Sequence, residues 1–146
     1  MSVVSQGRVI GGTDARHGKW PWQVGLYGGD EDYTFFCGGS LINQNWILTA
    51  AHCIGEKLKV SDYRIRLGDW NRFYEDGTEQ FRRASKIIKH EHYNQTSWIN
   101  NDIALIELDR PVNLTSHVNT ICLPEQGASM ALDSECYITG KIQGVR

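Results

Sequence analysis

Tyr63, Ile65 and Leu67 alternate with Arg64 and Arg66. A two-residue period of this kind places one face in a core and the other in water, as a half-buried β-strand requires. Short apolar runs bounded by turn-forming residues recur at 22–27, 34–42, 46–49, 63–67, 80–89 and 102–108. Six such runs, none of them long and helix-periodic, predict an all-β chain folded as one small antiparallel barrel. The last run is continuously apolar from Ile103 onward apart from Glu107, which suits a strand covered on both sides. Residues 50–54, after the third run, are expected to make one helical turn.

At 146 residues the chain is long enough for one domain with a real core and short for two. A net charge of −2 gives no reason to expect a nucleic-acid partner. No apolar run approaches the roughly 18 residues of a membrane-spanning helix, so no membrane partner is expected. Four cysteines accompany two glycosylation sequons, Asn94-Gln95-Thr96 and Asn113-Leu114-Thr115, a combination that favours a secreted protein from an oxidising compartment. Residues 1–6 are too short and too polar to be its signal peptide. From Pro111 to Ser134 no period is sustained, which reads as a linker. Residues 135–139 then read as one further strand. A lone strand cannot bury its apolar face, so it is expected to open a second unit.

The motifs are more specific than the periodicity. Arg8-Val9-Ile10-Gly11-Gly12, Trp20-Pro21-Trp22-Gln23-Val24, Cys37-Gly38-Gly39-Ser40-Leu41-Ile42, Leu48-Thr49-Ala50-Ala51-His52-Cys53, Asp102-Ile103-Ala104-Leu105 and Cys122-Leu123-Pro124 follow one another in this order. Together they resemble the N-terminal half of a trypsin-like (chymotrypsin-fold) serine peptidase, over about residues 8 to 140. The resemblance implies a six-stranded Greek-key barrel, the first of the family's two, over 9–110. It implies an inter-barrel linker over 111–134, the first strand of the second barrel over 135–140, and a non-family tail over 141–146. It also implies a residual propeptide, 1–8, cut between Arg8 and Val9 to free an α-amine.

By the same resemblance His52 is the general base and Asp102 the carboxylate that orients it. An unperturbed imidazole pKa near 6.5 suits a group that accepts and returns a proton at neutral pH. Cys37 is implied to bond Cys53, contributing about 3 kcal/mol in the chain-entropy model. Cys122 and Cys136 resemble cysteines that pair outside this segment, and here they are free, paired with each other or linked to another chain.

The family's serine lies in a Gly-Asp-Ser-Gly-Gly run, which does not occur in this sequence. Ser40 matches a strand lining the substrate cleft, and Ser129 and Ser134 lie in the linker without a glycine-rich elbow. The expected function is therefore that of a trypsin-like serine endopeptidase by family, present as a truncated N-terminal half and inactive alone. The alternative is a non-catalytic β-barrel binding module or pseudoprotease. Expected partners are a protein or peptide substrate of the intact parent, a second-barrel chain, or a serine-protease inhibitor.

No cofactor is required, but a structural calcium is implied. The segment from Asp69 to Glu79 resembles the family's calcium loop. Carboxylates of Asp69, Asp76 and Glu79 and the carbonyls of Asn71 and Tyr74 supply the hard oxygens that Ca²⁺ takes. Aspartate at the first position is shorter than the usual glutamate, and the competing reading is an acidic solvated hairpin. His90-Glu91-His92 places two imidazoles on one face of a strand, but without a third ligand in register it reads as a surface strand end. Trp20 and Trp22 read as packing residues.

Overall fold

A computed structural model describes residues 13–29, 34–71, 73–93 and 100–140. Arg8 and Val9 of the expected activation site, the sequon at Asn94 and the 141–146 tail lie outside the described residues.

Strands β1 (Gln23–Gly28), β2 (Thr34–Asn43), β3 (Trp46–Thr49), β4 (Arg64–Leu67), β5 (Gln80–Lys89) and β6 (Ala104–Leu108) form a closed barrel. Its order is β1-β2-β3-β6-β5-β4, with every neighbouring pair antiparallel. β3 pairs with β6 instead of β4, so the chain crosses between its first three strands and its last three, as in a Greek key. The all-β, six-stranded antiparallel barrel is thus the fold. Closure leaves no unpaired edge to seed association.

The alternation in the sequence is what fills the interior. Val24 and Leu26 of β1, Ile65 and Leu67 of β4, and Ala104, Ile106 and Leu108 of β6 all point inward and are buried. Leu41, Ile47 and Tyr63 join them in the same cluster. Tyr63 is 1% exposed but precedes β4, because its N–H closes the short 3₁₀ turn Val60–Asp62 on the Val60 carbonyl. The helical turn expected over 50–54 is a 3₁₀ turn at Ala51–Cys53.

The stretch read as a linker is packed along its first part. Val112 and Val118 are fully buried in the barrel cluster. Their neighbours are tied down by main-chain bonds from Val112 N–H to Gln44 O, Asn119 N–H to Pro21 O and Ile121 N–H to Leu41 O. Gly68 shows how closely this segment approaches. A Cβ there would lie 2.8 Å from Val118 Cγ2 and 2.4 Å from the Thr78 carbonyl, and its φ of +69° is left-handed. Glycine is the residue that fits such a turn. On the same side His17 stacks on His117 at 4.4 Å between ring centroids and hydrogen-bonds Thr78 Oγ1 through Nε2 at 3.1 Å.

Residues 135–139 are not a strand, contrary to the sequence expectation. A strand exists only with a ladder partner, and none of the barrel strands offers them one. Side chains hold this segment instead. Tyr137 packs on Trp20 at 5.5 Å, and Thr139 Oγ1 donates to Gln23 Oε1 at 2.9 Å.

Candidate active site

The β3–β6 ladder builds the site. Thr49 pairs with Ala104, so the chain leaving β3 and the chain entering β6 run past each other at one end of the barrel. Three residues beyond Thr49 stands His52, and two residues before Ala104 stands Asp102. A sequence separation of 50 residues is closed by that register.

His52 sits in the 3₁₀ turn Ala51–Cys53, whose two other residues are buried. Cys53 is disulfide-bonded to Cys37 of β2, which fastens the turn to the barrel wall. Gly39, two residues along β2, lies against β3, where a Cβ would come within 2.8 Å of Ile47 Cγ2. Close strand approach and a covalent tie therefore both lie beside the histidine.

Asp102 grips His52 through both carboxylate oxygens. Its Oδ1 accepts the His52 backbone N–H at 2.7 Å, and its Oδ2 lies 2.6 Å from His52 Nδ1. An ionised carboxylate only accepts, so Nδ1 carries a proton, and in the neutral ring Nε2 keeps its lone pair. The hydrogen bond from the His52 side chain, followed by that from the His52 amide, holds the Asp102 carboxyl below its usual range. Nε2 lies 3.6 Å from Cys53 Sγ. The imidazole is 63% exposed and the carboxylate 29%, so a reacting group can reach the ring. The sequence places Asp102 at the head of a strand. In the structure β6 begins only at Ala104, because Ile103 N–H turns back to the Asn101 carbonyl.

An open groove of ≈ 570 Å³ runs along β2, lined by Phe35 to Ser40, Gln23 and Tyr137 to Gly140. Cys37 lies in its wall, so the groove adjoins the disulfide next to His52. Ser40 lines this groove and makes no bond to His52 among the contacts of the described residues.

In the acidic segment, Asp69, Asp76 and Glu79 each bring one oxygen within 4.8 Å of the others. Asp69 is also turned toward the barrel. Its Oδ2 accepts the Tyr27 hydroxyl at 3.3 Å and lies 3.6 Å from Arg66 Nη1. Burial and the Asp69 charge push the Tyr27 phenol up to about 12. Burial would raise Glu79 too, but hydrogen bonds from the Asp76, Glu79 and Gly77 amides and the Arg66 charge outweigh it and hold that carboxyl low. Asp76 Oδ2 accepts the Asn71 N–H, and the Asn71 carbonyl accepts from Tyr74 N–H.

Of His90, Glu91 and His92, it is His90 that stays tied to the sheet, its N–H donating to the Ile103 carbonyl at 3.0 Å. β5 ends at Lys89, and His92 N–H donates to His90 Nδ1 across a turn. The two rings, 5.8 Å apart, belong to no group of three metal-binding side chains among the described residues. Cys37, His52 and Cys53 do cluster, but both sulfurs are spent in the disulfide. Cys122 and Cys136 are exposed and unbonded.

The family model for Trypsin matches residues 9–141. Chymotrypsin-like elastase family member 1 of Macaca fascicularis is 44% identical over 137 residues, covering 91% of this chain and 50% of the relative. The protein of the same name in Homo sapiens is 43% identical over 137 residues, with 91% and 51% covered. Chymotrypsin-C of Rattus norvegicus is 42% identical over 135 residues, covering 91% and 49%. The chain spans about half the length of the curated relatives it matches.

Proposed function

The chain belongs to the trypsin-like serine peptidase family, and from that premise we propose that it supplies the base half of an endopeptidase acting by acyl transfer. The observation that carries the reading is the two-point grip of Asp102 on His52. It fixes both the ring plane and the tautomer, leaving Nε2 to take a proton from an attacking serine hydroxyl. Asp102 then stabilises the imidazolium that forms. The acyl acceptor chemistry also needs a nucleophile and oxyanion-hole donors, the latter alone worth about 10²–10³ in rate. No Gly-Asp-Ser-Gly-Gly run lies in these 146 residues. Alone, the chain is therefore inactive, and the groove along β2 is the part of a substrate cleft that this half contributes.

Protein or peptide substrates, an activating cut between Arg8 and Val9 and an extracellular setting belong to the same reading. The Cys37–Cys53 disulfide supports an oxidising compartment. No helix among the described residues is long and apolar enough to cross a membrane.

The acidic segment fits a calcium ion in part. Three converging carboxylates and the Asn71 and Tyr74 carbonyls are a hard-oxygen donor set of the kind Ca²⁺ prefers. Asp69, however, also answers to Arg66 and Tyr27. We assign the ion a structural role, bracing the 69–79 loop, with no part in proton transfer.

Complementation tests the reading. The chain is mixed with a separately produced second-half chain carrying a Gly-Asp-Ser-Gly-Gly segment, and cleavage of a peptide ester is followed. Neither part alone should cleave, the mixture should, and His52→Ala should abolish the gain. No gain under any redox condition would overturn it.

A further inference from the structure

Asn101 is, among the described residues, the one non-glycine residue with positive φ, at 54°. Left-handed backbone is disfavoured for residues with a Cβ, and asparagine is among the few that enter it readily. This one stands immediately before Asp102. Ile103 N–H donates to the Asn101 carbonyl at 2.8 Å, closing a tight turn with Asp102 at its apex. The Asn101 side chain then anchors the turn, Nδ2 donating to the His92 carbonyl at 3.1 Å in the chain that leaves β5.

Packing does not explain the direction of Asp102. The next side chain, Ile103, is 42% exposed, and the carboxylate itself is 29% exposed. A surface carboxylate ordinarily samples several rotamers and main-chain settings. What fixes this one is the turn beneath it, together with the two bonds from His52 and the Ala51 amide.

We infer that Asn101 is a positioning residue: its left-handed backbone turns the Asp102 carboxylate onto His52. The inference rests on reading His52 and Asp102 as base and orienter. A glycine at this position would hold the same φ without strain, whereas an alanine would pull the turn toward ordinary backbone. The His92 tie explains why asparagine, and not merely a flexible residue, suits the site.

The test is a ¹³C NMR titration of the Asp102 carboxyl in the full oxidised chain, with Asp102→Asn for assignment. In the wild type the hydrogen bonds from His52 place the midpoint below the ordinary 3.8, and His52→Ala should raise it. Asn101→Gly should keep the low midpoint. Asn101→Ala should raise it by about half a pH unit or more, as expected when a carboxylate loses a charge-assisted hydrogen bond, and should weaken the His52 Nδ1–H proton signal. A folded Asn101→Ala chain that titrates like wild type overturns the inference. Should that variant not fold, Asn101→Gly decides: an ordinary midpoint there overturns it equally. A wild-type midpoint in the ordinary range, unmoved by His52→Ala, would instead sink the base-and-orienter reading on which the inference stands.

Discussion

Val118→Ala measures whether the segment after β6 belongs to the core. Val118 is 0% exposed, sits in the barrel cluster and lies against the glycine turn at Gly68. The substitution removes two buried carbons. At about 0.8 kcal/mol for each, the transfer loss is roughly 1.6 kcal/mol. A residual void of about 40 Å³ at about 24 cal/mol per Å³ adds roughly 1 kcal/mol. The expected total is thus about 2–3 kcal/mol. Urea denaturation followed by tryptophan fluorescence would read it as a lower midpoint with an unchanged slope. Leu114→Ala, at a residue 47% exposed in the same segment, should cost under about 0.5 kcal/mol. Equal, small losses for both variants would refute the packing argument. A second check uses the contact at Gly68. Gly68→Ala should destabilise even in the Val118→Ala background, because the new Cβ would still meet the Thr78 carbonyl at 2.4 Å.

Tyr27 makes a prediction at high pH. Its phenol is pushed up to about 12 in the fold, against about 10 in an unfolded chain. A raised pKa means stability that is whole below pH 10 and is lost as pH rises through 12. Tyrosinate absorbance should show a late-titrating group that Tyr27→Phe removes. Tyr63 and Tyr137 are also displaced upward, by burial and by the Glu135 hydrogen bond respectively. Tyr27→Phe should flatten the alkaline decline in Tm. An early, uniform titration of all tyrosines would refute it. Calcium makes the other. Added Ca²⁺ should raise Tm with concentration by simple linkage, and the pair Asp76→Asn, Glu79→Gln should remove the effect. A flat response in the unmodified chain would leave the 69–79 segment an acidic hairpin.

The strands were legible because each buries one face: Ile65 and Leu67 alternate with arginines, and the sequence shows it directly. The ends of strands were less so. β6 starts at Ala104 and not Asp102, because a left-handed residue and a backward hydrogen bond intervene, and neither has a hydrophobic signature. Val112 and Val118 were hidden for a related reason. Each is an isolated apolar residue among polar ones, in a segment tied by main-chain bonds to Gln44, Pro21 and Leu41 and not placed by any period of its own. The reverse error arose at 135–139, where local composition suits a strand but no ladder partner is present. Asn101 was visible only as one of two asparagines before Asp102. Its φ and its bond to His92 belong to three dimensions.

The assembly of His52 and Asp102 needs nothing outside this barrel. The Thr49–Ala104 pairing sets their approach, the Cys37–Cys53 bond fixes one side, and the Asn101 turn fixes the other. All three restraints lie between β2 and β6. The His52 ring is thus oriented within this barrel alone, with the ring left 63% exposed. Exposure weakens charge pairing through solvent screening. The low carboxyl of Asp102 accordingly owes more to its two short hydrogen bonds than to charge alone. Covering the ring with a second protein surface would strengthen the same pair without moving it, since low dielectric raises the value of an interaction already aligned. Readouts of His52 and Asp102 on the isolated chain therefore report the alignment, while the complementation assay tests what a covering surface adds.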